Sequence, residues 1–314
     1  MGMLIEGRWR EDDLAGFKRD GKQVRFSSGF HAVVGDEAGA PYPAAPGRYA
    51  LYCNRTCPWS HRAVATRALK GLDDCIDLVL LEPAMSAESW WFGERGVYHD
   101  PALGATYLHE LYSASDPGFT GRVSIPLLWD KEAGRIVNND SGAIARMFNA
   151  QFDAFAARPE LDLYPPALRD DIDALNDYIG DRLNDGVYRC LLAATQADYE
   201  AAFDRVFEAL DTLDARLAHS RYLLGAAPTE PDWRLFGVLV RFDCVYYPLY
   251  KCNLKRIVDY DHLWDYTRDL YQLPGIAGTL DIDAMKAGYY GTVKRGGLVP
   301  KGPRLDFDLP HGRG

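Results

Sequence analysis

Between Tyr49 and Gly71 the chain changes from an extended run to a helix across a single cysteine. Tyr-Ala-Leu-Tyr-Cys-Asn (49–54) is apolar and rich in β-formers, and reads as a strand. Cys57 follows, then Pro58, a residue suited to the first helical position. Trp59, Ala63, Val64, Ala65, Ala68 and Leu69 continue as a helix that stops at Lys70-Gly71, a basic last turn followed by glycine. Ile-Asp-Leu-Val-Leu-Leu-Glu (76–82) reads as a second strand. Strand, helix and strand within about 30 residues form a βαβ unit.

The rest of the first half continues this pattern after an interruption. Residues 83–121 form a long aromatic segment punctuated by Gly and Pro, read as a functional loop. Val123–Asp130 and Gly134–Asn139 read as two strands of a hairpin, and Asp140–Phe152 as a helix that opens with an acid and a serine. The second half contains no clear strand. Apolar residues recur at helical spacing over 166–184 and 197–218. Thr229 and Asp232 form a capping pattern ahead of an apolar run to 250, and further helices are expected over 261–271 and 281–290. The expected division is an N-terminal extension over 1–47, polar and loop-like, a sheet-containing domain over 48–155, an all-helical domain over 163–291 and a tail over 292–314. No internal repeat is visible.

Composition narrows the function classes. The 314 residues carry 35 Lys+Arg against 45 Asp+Glu, a formal charge of −10, which repels phosphate and argues against nucleic-acid and anionic-membrane binding. No apolar stretch approaches the ~20 residues of a spanning helix, and the charged N-terminus has no signal-peptide core. Six irregularly spaced cysteines (Cys53, Cys57, Cys75, Cys190, Cys244, Cys252) in a chain this long read as free thiols of a reducing cytosol.

Chemistry concentrates in Tyr-Cys-Asn-Arg-Thr-Cys-Pro-Trp-Ser-His-Arg (52–62). A thiol at the start of a helix faces unpaired N–H groups and the positive end of the helix dipole, so the Cys57 pKa is expected below the roughly 8.5 of a free thiol. Arg55 and Arg62 add positive potential. The competing readings are an inert buried cysteine, an ion held by Cys53, Cys57 and His61, an iron–sulfur motif and a dithiol pair. Cys53, Cys57 and His61 lack an evident further ligand, Ser60 stands where a cluster motif needs cysteine, and Thr-Cys-Pro-Trp carries one thiol only. No metal is expected. A monothiol mechanism follows, with a small external thiol as resolver, and His61 reads as structural or solvent-facing.

A sheet-containing half followed by a helical half resembles the glutathione transferase fold, α/β plus all-α. Its first domain would be thioredoxin-like with a mixed four-stranded sheet, and Ile125-Pro126 stands where that fold has a cis proline. The finer resemblance is to the glutathionyl-hydroquinone reductases, the xi class. It is carried by CPWSHR (57–62), RALKGL (67–72), GRVSIPLLWDK (121–131), IVNNDS (136–141), RMFN (146–149), DLYP (162–165), NDGVYR (184–189), DWRLFGVLVRFDCVY (232–246) and KCN (251–253).

This resemblance implies roles for named residues. Cys57 matches the catalytic cysteine. Trp90 matches the tryptophan beside glutathione, although spacing does not separate it from Trp91. Arg122 and Val123 match the pair ahead of the proline, with the valine backbone pairing with the cysteinyl part of glutathione. Asp140 and Ser141 match the pair that holds the γ-glutamyl end. Tyr188, Tyr246 and Tyr289 match three tyrosines that line a hydroquinone pocket. Each also has a structural reading: Trp90 as core, Arg122 as an ion pair, Asp140-Ser141 as a helix cap, and the tyrosines as three among 19. The family carries alanine where Ser60 stands and glutamate where Asp140 stands, so the shorter aspartate reaches the glutathione amino group less far.

The implied activity is glutathione-dependent reduction of glutathionyl-hydroquinones, with glutathione as co-substrate and aromatic glutathione conjugates as partners, in a cytoplasmic homodimer. The alternatives are an omega-like thioltransferase or dehydroascorbate reductase, and a non-catalytic aromatic-ligand-binding protein on the same scaffold.

Overall fold

The computed structural model describes residues 2–11, 18–19, 22–23, 29–35, 39–93, 96–293 and 298–313. The chain divides into two compact units, Met1–Pro159 with Ala287–Gly297, and Glu160–Lys286 with Leu298–Gly314.

The first unit opens with a hairpin of β1 (Met3–Ile5) and β2 (Arg8–Arg10), followed by the short antiparallel pair β3 (Lys18–Arg19) and β4 (Lys22–Gln23). Its sheet has the order β6-β5-β7-β8, built from β5 (Tyr49–Cys53), β6 (Ile76–Leu80), β7 (Leu127–Asp130) and β8 (Arg135–Asn138). β5 and β6 run parallel, while β5–β7 and β7–β8 are antiparallel. The mixed four-stranded sheet of a glutathione transferase is therefore present.

All five residues of β5 are buried, because both faces of the sheet are covered. Tyr49, Leu51 and Cys53 point into a core closed by α1 (Pro58–Lys70) and α3 (Ser141–Ala150), with Val64, Ile144 and Phe148. Ala50 and Tyr52 point into a second core that includes Leu4, Leu108, Leu111, Tyr112 and Trp129. Alternation along an extended strand requires this division.

The second core corrects two expectations. The segment 83–121 is not only loop: it holds α2 (Leu108–Ser115), which buries Leu108, Leu111, Tyr112 and Ser115 at helical spacing. Glu110 reaches back to the Tyr107 amide at 2.7 Å and starts the helix. The N-terminal extension is not simply polar loop either. Met3 and Leu4 are fully buried, and Leu4 pairs with Gly121. Its hairpin turns on Glu6 and Gly7, both at positive φ (47° and 70°), the geometry of a two-residue hairpin turn. An ideal Cβ on Gly7 would lie 2.1 Å from the Pro117 carbonyl oxygen, so only glycine fits.

The second unit is helical, as expected. It contains α4 (Arg169–Ile179), α5 (Gly186–Leu192), α6 (Gln196–Leu217), α7 (Glu230–Arg241), the short α8 (Tyr247–Leu249), α9 (Leu263–Tyr271) and the start of α10 (Ile282–Val293). Single π-type turns at Gly180–Asn184 and Phe242–Tyr246 follow α4 and α7. α5 was absent from the sequence expectation. Among the described residues no helix is long and apolar enough to cross a membrane.

The capping pattern at α7 is realised by a fully buried carboxylate. Asp232 accepts from the Leu223 amide at 2.9 Å, the Thr229 amide at 2.7 Å, the Thr229 hydroxyl at 3.0 Å and the Tyr266 hydroxyl at 2.7 Å. Burial raises its pKa, and these donors oppose that rise. Asp232→Ala strands several buried donors and is expected to lower unfolding free energy by about 3 kcal/mol, read from urea denaturation.

Candidate functional site

The turn between β5 and α1 is organised by Asn54. Its Oδ1 accepts from the Thr56 amide at 2.8 Å and the Thr56 hydroxyl at 2.7 Å. Its Nδ2 donates to the Glu82 carbonyl at 2.5 Å, which ties the turn to the end of β6. The Cys57 amide then donates to the Asn54 carbonyl at 3.1 Å.

Cys57 is the N-cap of α1, with extended backbone (φ −79°, ψ 118°) and Pro58 next. Its Sγ accepts a hydrogen bond from the Ser60 amide at 3.3 Å. No acid stands in the first turn of α1, so the helix end stays positive. Ser60 acts here through its backbone; its buried hydroxyl has no hydrogen-bond partner among the described residues. Cys57 is buried, with 7% of its surface exposed. Cys53 belongs to the core on the other face of the sheet, where burial pushes its thiol up to about 12. The two sulfurs therefore do not form a common pair for an ion or a disulfide. His61 is buried, which settles its orientation against solvent.

The segment ahead of β7 comes to the sulfur. The Ile125 carbonyl lies 3.9 Å from Cys57 Sγ, and the Ile125–Pro126 peptide is cis. Val123 and Ile125 share a core with Cys57, and Trp90 packs against that core. Trp91 instead donates its indole N–H to the Ala84 carbonyl at 2.8 Å and pairs with Tyr107. Among the described residues the backbone amide and carbonyl of Val123 have no hydrogen-bond partner, leaving an open edge beside the proline. Arg122 has a buried Nη2 with no partner among the described residues, and burial lowers its pKa. The ion-pair reading of Arg122 is not realised among the described residues. A half-buried cation of this kind is suited to an incoming anion.

At the start of α3 the Asp140 carboxylate accepts from the Ala143 amide at 2.8 Å as N-cap. The Ser141 hydroxyl accepts from Arg62 Nε at 3.0 Å and Nη2 at 2.7 Å. This link between α1 and α3 had no local sequence signal. In the second unit, the Tyr188 ring lies 6.3 Å from that of Tyr246 and 5.2 Å from that of Tyr250. Tyr250 was missed, although it stands one helical turn beyond Tyr246. Tyr289 belongs to the first unit, on the part of α10 whose Gly288 lies against Thr56 and Pro83. Among the described residues no group of three or more His, Cys, Asp or Glu is placed to hold a metal ion.

Comparison with known proteins identifies both domains. Residues 56–151 match the glutathione S-transferase N-terminal domain, and residues 196–269 the glutathione S-transferase C-terminal domain. The chain is 41% identical over its full length to glutathionyl-hydroquinone reductase YqjG of Escherichia coli, covering 98% of that protein. It is 42% identical to glutathionyl-hydroquinone reductase PcpF of Sphingobium chlorophenolicum, with 96% of each chain covered. This chain belongs to the glutathionyl-hydroquinone reductase family, the xi class of the glutathione transferases. Among solved structures, the Xi class transferase of Natrialba magadii superposes with a TM-score of 0.94 at 41% identity, over 100% of this chain and 97% of that one. The glutathione-bound structure of YqjG superposes with a TM-score of 0.86 at 40% identity, over 90% and 96%.

One glycine of this xi-class chain is predicted to be indispensable for packing beside Cys57. An ideal Cβ on Gly288 would sit 2.1 Å from Thr56 Cγ2 and 2.4 Å from the Pro83 carbonyl oxygen. Gly288→Val is expected to cost about 2 kcal/mol by overpacking, read from the urea midpoint. Gly278→Ala, whose Cβ would meet nothing within 4 Å, is the control and should be near neutral.

Proposed function

We propose that this protein reduces glutathionyl-hydroquinones to hydroquinones at the expense of glutathione, with Cys57 as the sulfur nucleophile. The observation that carries the reading is the Cys57 sulfur at the N-terminus of α1, 3.3 Å from the Ser60 amide. An N–H donor and a helix dipole favour the thiolate, the form that attacks sulfur. The names of the relatives point to the same reaction.

In the first step the Cys57 thiolate attacks the thioether sulfur of the conjugate. The bond between that sulfur and the aromatic carbon breaks, and the carbon takes the electron pair and a proton. The products are hydroquinone and a mixed disulfide of Cys57 with glutathione. In the second step a glutathione thiolate attacks the mixed disulfide. Oxidised glutathione leaves and the Cys57 thiolate returns. The proton released by the second glutathione balances the one taken up by the aromatic carbon, so one conjugate and one glutathione give one hydroquinone and one oxidised glutathione. The phenol oxygens help the carbon to leave by permitting a keto tautomer.

The other residues bind and orient. The free backbone edge of Val123 pairs with the cysteinyl portion of glutathione, and Trp90 packs beside it. Arg122, a cation lacking a partner among the described residues, meets an anionic group of the ligand. Asp140 and Ser141 hold the γ-glutamyl end. Tyr188, Tyr246 and Tyr289 hold the hydroquinone, offering flat rings and hydroxyl donors for its oxygens. The same reading makes the protein a cytosolic homodimer that meets its ligands as small molecules and binds neither nucleic acid nor membrane, in keeping with its formal charge of −10.

Incubation with oxidised glutathione followed by peptide mass spectrometry is expected to find one glutathione, on the peptide containing Cys57, and none in Cys57→Ser. An unmodified Cys57 with adducts elsewhere would refute the assignment. Phenylalanine variants of Tyr188, Tyr246 and Tyr289 separate this activity from thioltransfer. Each should lower the rate on a glutathionyl-hydroquinone about tenfold or more and leave the rate on a hydroxyethyl mixed disulfide nearly unchanged.

A further inference from the structure

We propose that Arg62 is a positioning residue that turns the Ser141 hydroxyl into an obligate hydrogen-bond donor for the α-carboxylate of the γ-glutamyl group. The inference rests on the reading that Ser141 holds that end of glutathione.

A serine hydroxyl has one hydrogen to give and two lone pairs to receive. The acceptor side of Ser141 Oγ is occupied by one guanidinium. Arg62 Nε donates to Oγ at 3.0 Å and Nη2 donates to it at 2.7 Å. The guanidinium is permanently protonated and has no acceptor, so these two bonds cannot reverse direction. The Ser141 hydrogen is left to donate. Among the described residues nothing accepts it, and Ser141 is 5% exposed.

The surroundings fit a carboxylate. Ser141 is the first residue of α3, where backbone N–H groups lack helical partners and the dipole is positive. Asp140 already satisfies the Ala143 amide through its side chain and the Ile144 amide through its carbonyl. The amides of Ser141 and Gly142 have no partner among the described residues. A hydroxyl fixed as donor beside two such amides favours a carboxylate over any neutral group. The carboxylate of Asp140 stands ready for the ammonium of the same amino-acid end.

Gly142 makes the arrangement possible. An ideal Cβ there would lie 3.1 Å from Arg62 Nη2 and 3.3 Å from Asp140 Oδ1. Any side chain at 142 presses on the two charged groups that flank Ser141. Arg62 is itself 6% exposed and is held between α1 and α3. Lysine would keep the charge but not the planar fork that closes on the hydroxyl oxygen with two N–H groups.

The test is calorimetric titration of the full-length protein with reduced glutathione and with an analogue whose γ-glutamyl group lacks the α-carboxylate (4-aminobutyryl-cysteinyl-glycine). Arg62→Ala and Ser141→Ala are each expected to weaken glutathione binding about tenfold, and the double variant no more than either single one, because both remove the same oriented hydrogen. Arg62→Lys should recover little of the loss. For the analogue, wild type and Arg62→Ala should bind equally. Equal weakening of both ligands in Arg62→Ala would show a general structural role and overturn the proposal. So would losses that multiply in the double variant. If Ser141→Ala alone leaves glutathione binding unchanged, the underlying placement of the γ-glutamyl end fails, and the proposal with it.

Discussion

One hydrogen bond, from the Ser60 amide to the sulfur of Cys57, connects the architecture to the proposed chemistry. It exists because α1 begins at that residue, and α1 begins there for local reasons. Pro58 cannot donate and suits the first helical position, Asn54 closes the preceding turn, and Gly71 in the left-handed conformation ends the helix. A sulfur in this place satisfies a helix amide that would otherwise need an oxygen cap. The same bond stabilises negative charge on the sulfur. Structural capping and proposed reactivity are therefore one interaction.

Around that bond the first unit gathers groups that are incompletely used within the protein. The backbone edge of Val123, the buried nitrogen of Arg122 and the donor hydrogen of Ser141 have no acceptor or donor partner among the described residues. Buried polar groups are costly when unpaired, so their accumulation near the cis-proline segment and the start of α3 is evidence for a polar ligand. Two of the other cysteines follow the opposite logic. Burial pushes Cys53 and Cys244 up to about 12 and leaves them as small apolar residues.

Legibility in the sequence followed the range of the interaction. The βαβ unit, the helical second half and the caps at Cys57, Asp140 and Thr229 were readable because a strand alternates, a helix repeats and a cap is one residue from what it caps. The β1–β2 hairpin was missed although Glu6-Gly7 supports a tight turn, since the flanking strands are only three residues each. Helix α2 was missed because the surrounding Gly and Pro residues mask a single amphipathic repeat, Leu108, Leu111, Tyr112 and Ser115. The Arg62–Ser141 link joins residues 79 apart and leaves no local trace. Roles for Trp90, Arg122 and the tyrosines came from resemblance alone; packing then separated Trp90 from Trp91 and added Tyr250 to its cluster.

The proposed chemistry requires Cys57 to stand as a thiolate at neutral pH. The pH dependence of its alkylation rate in the native protein, followed on the Cys57 peptide by mass spectrometry, measures this directly. The expected midpoint lies clearly below the roughly 8.5 of an ordinary thiol. A midpoint at or above that value would mean that the helix end does not ionise the sulfur, and would rule out Cys57 as the proposed nucleophile.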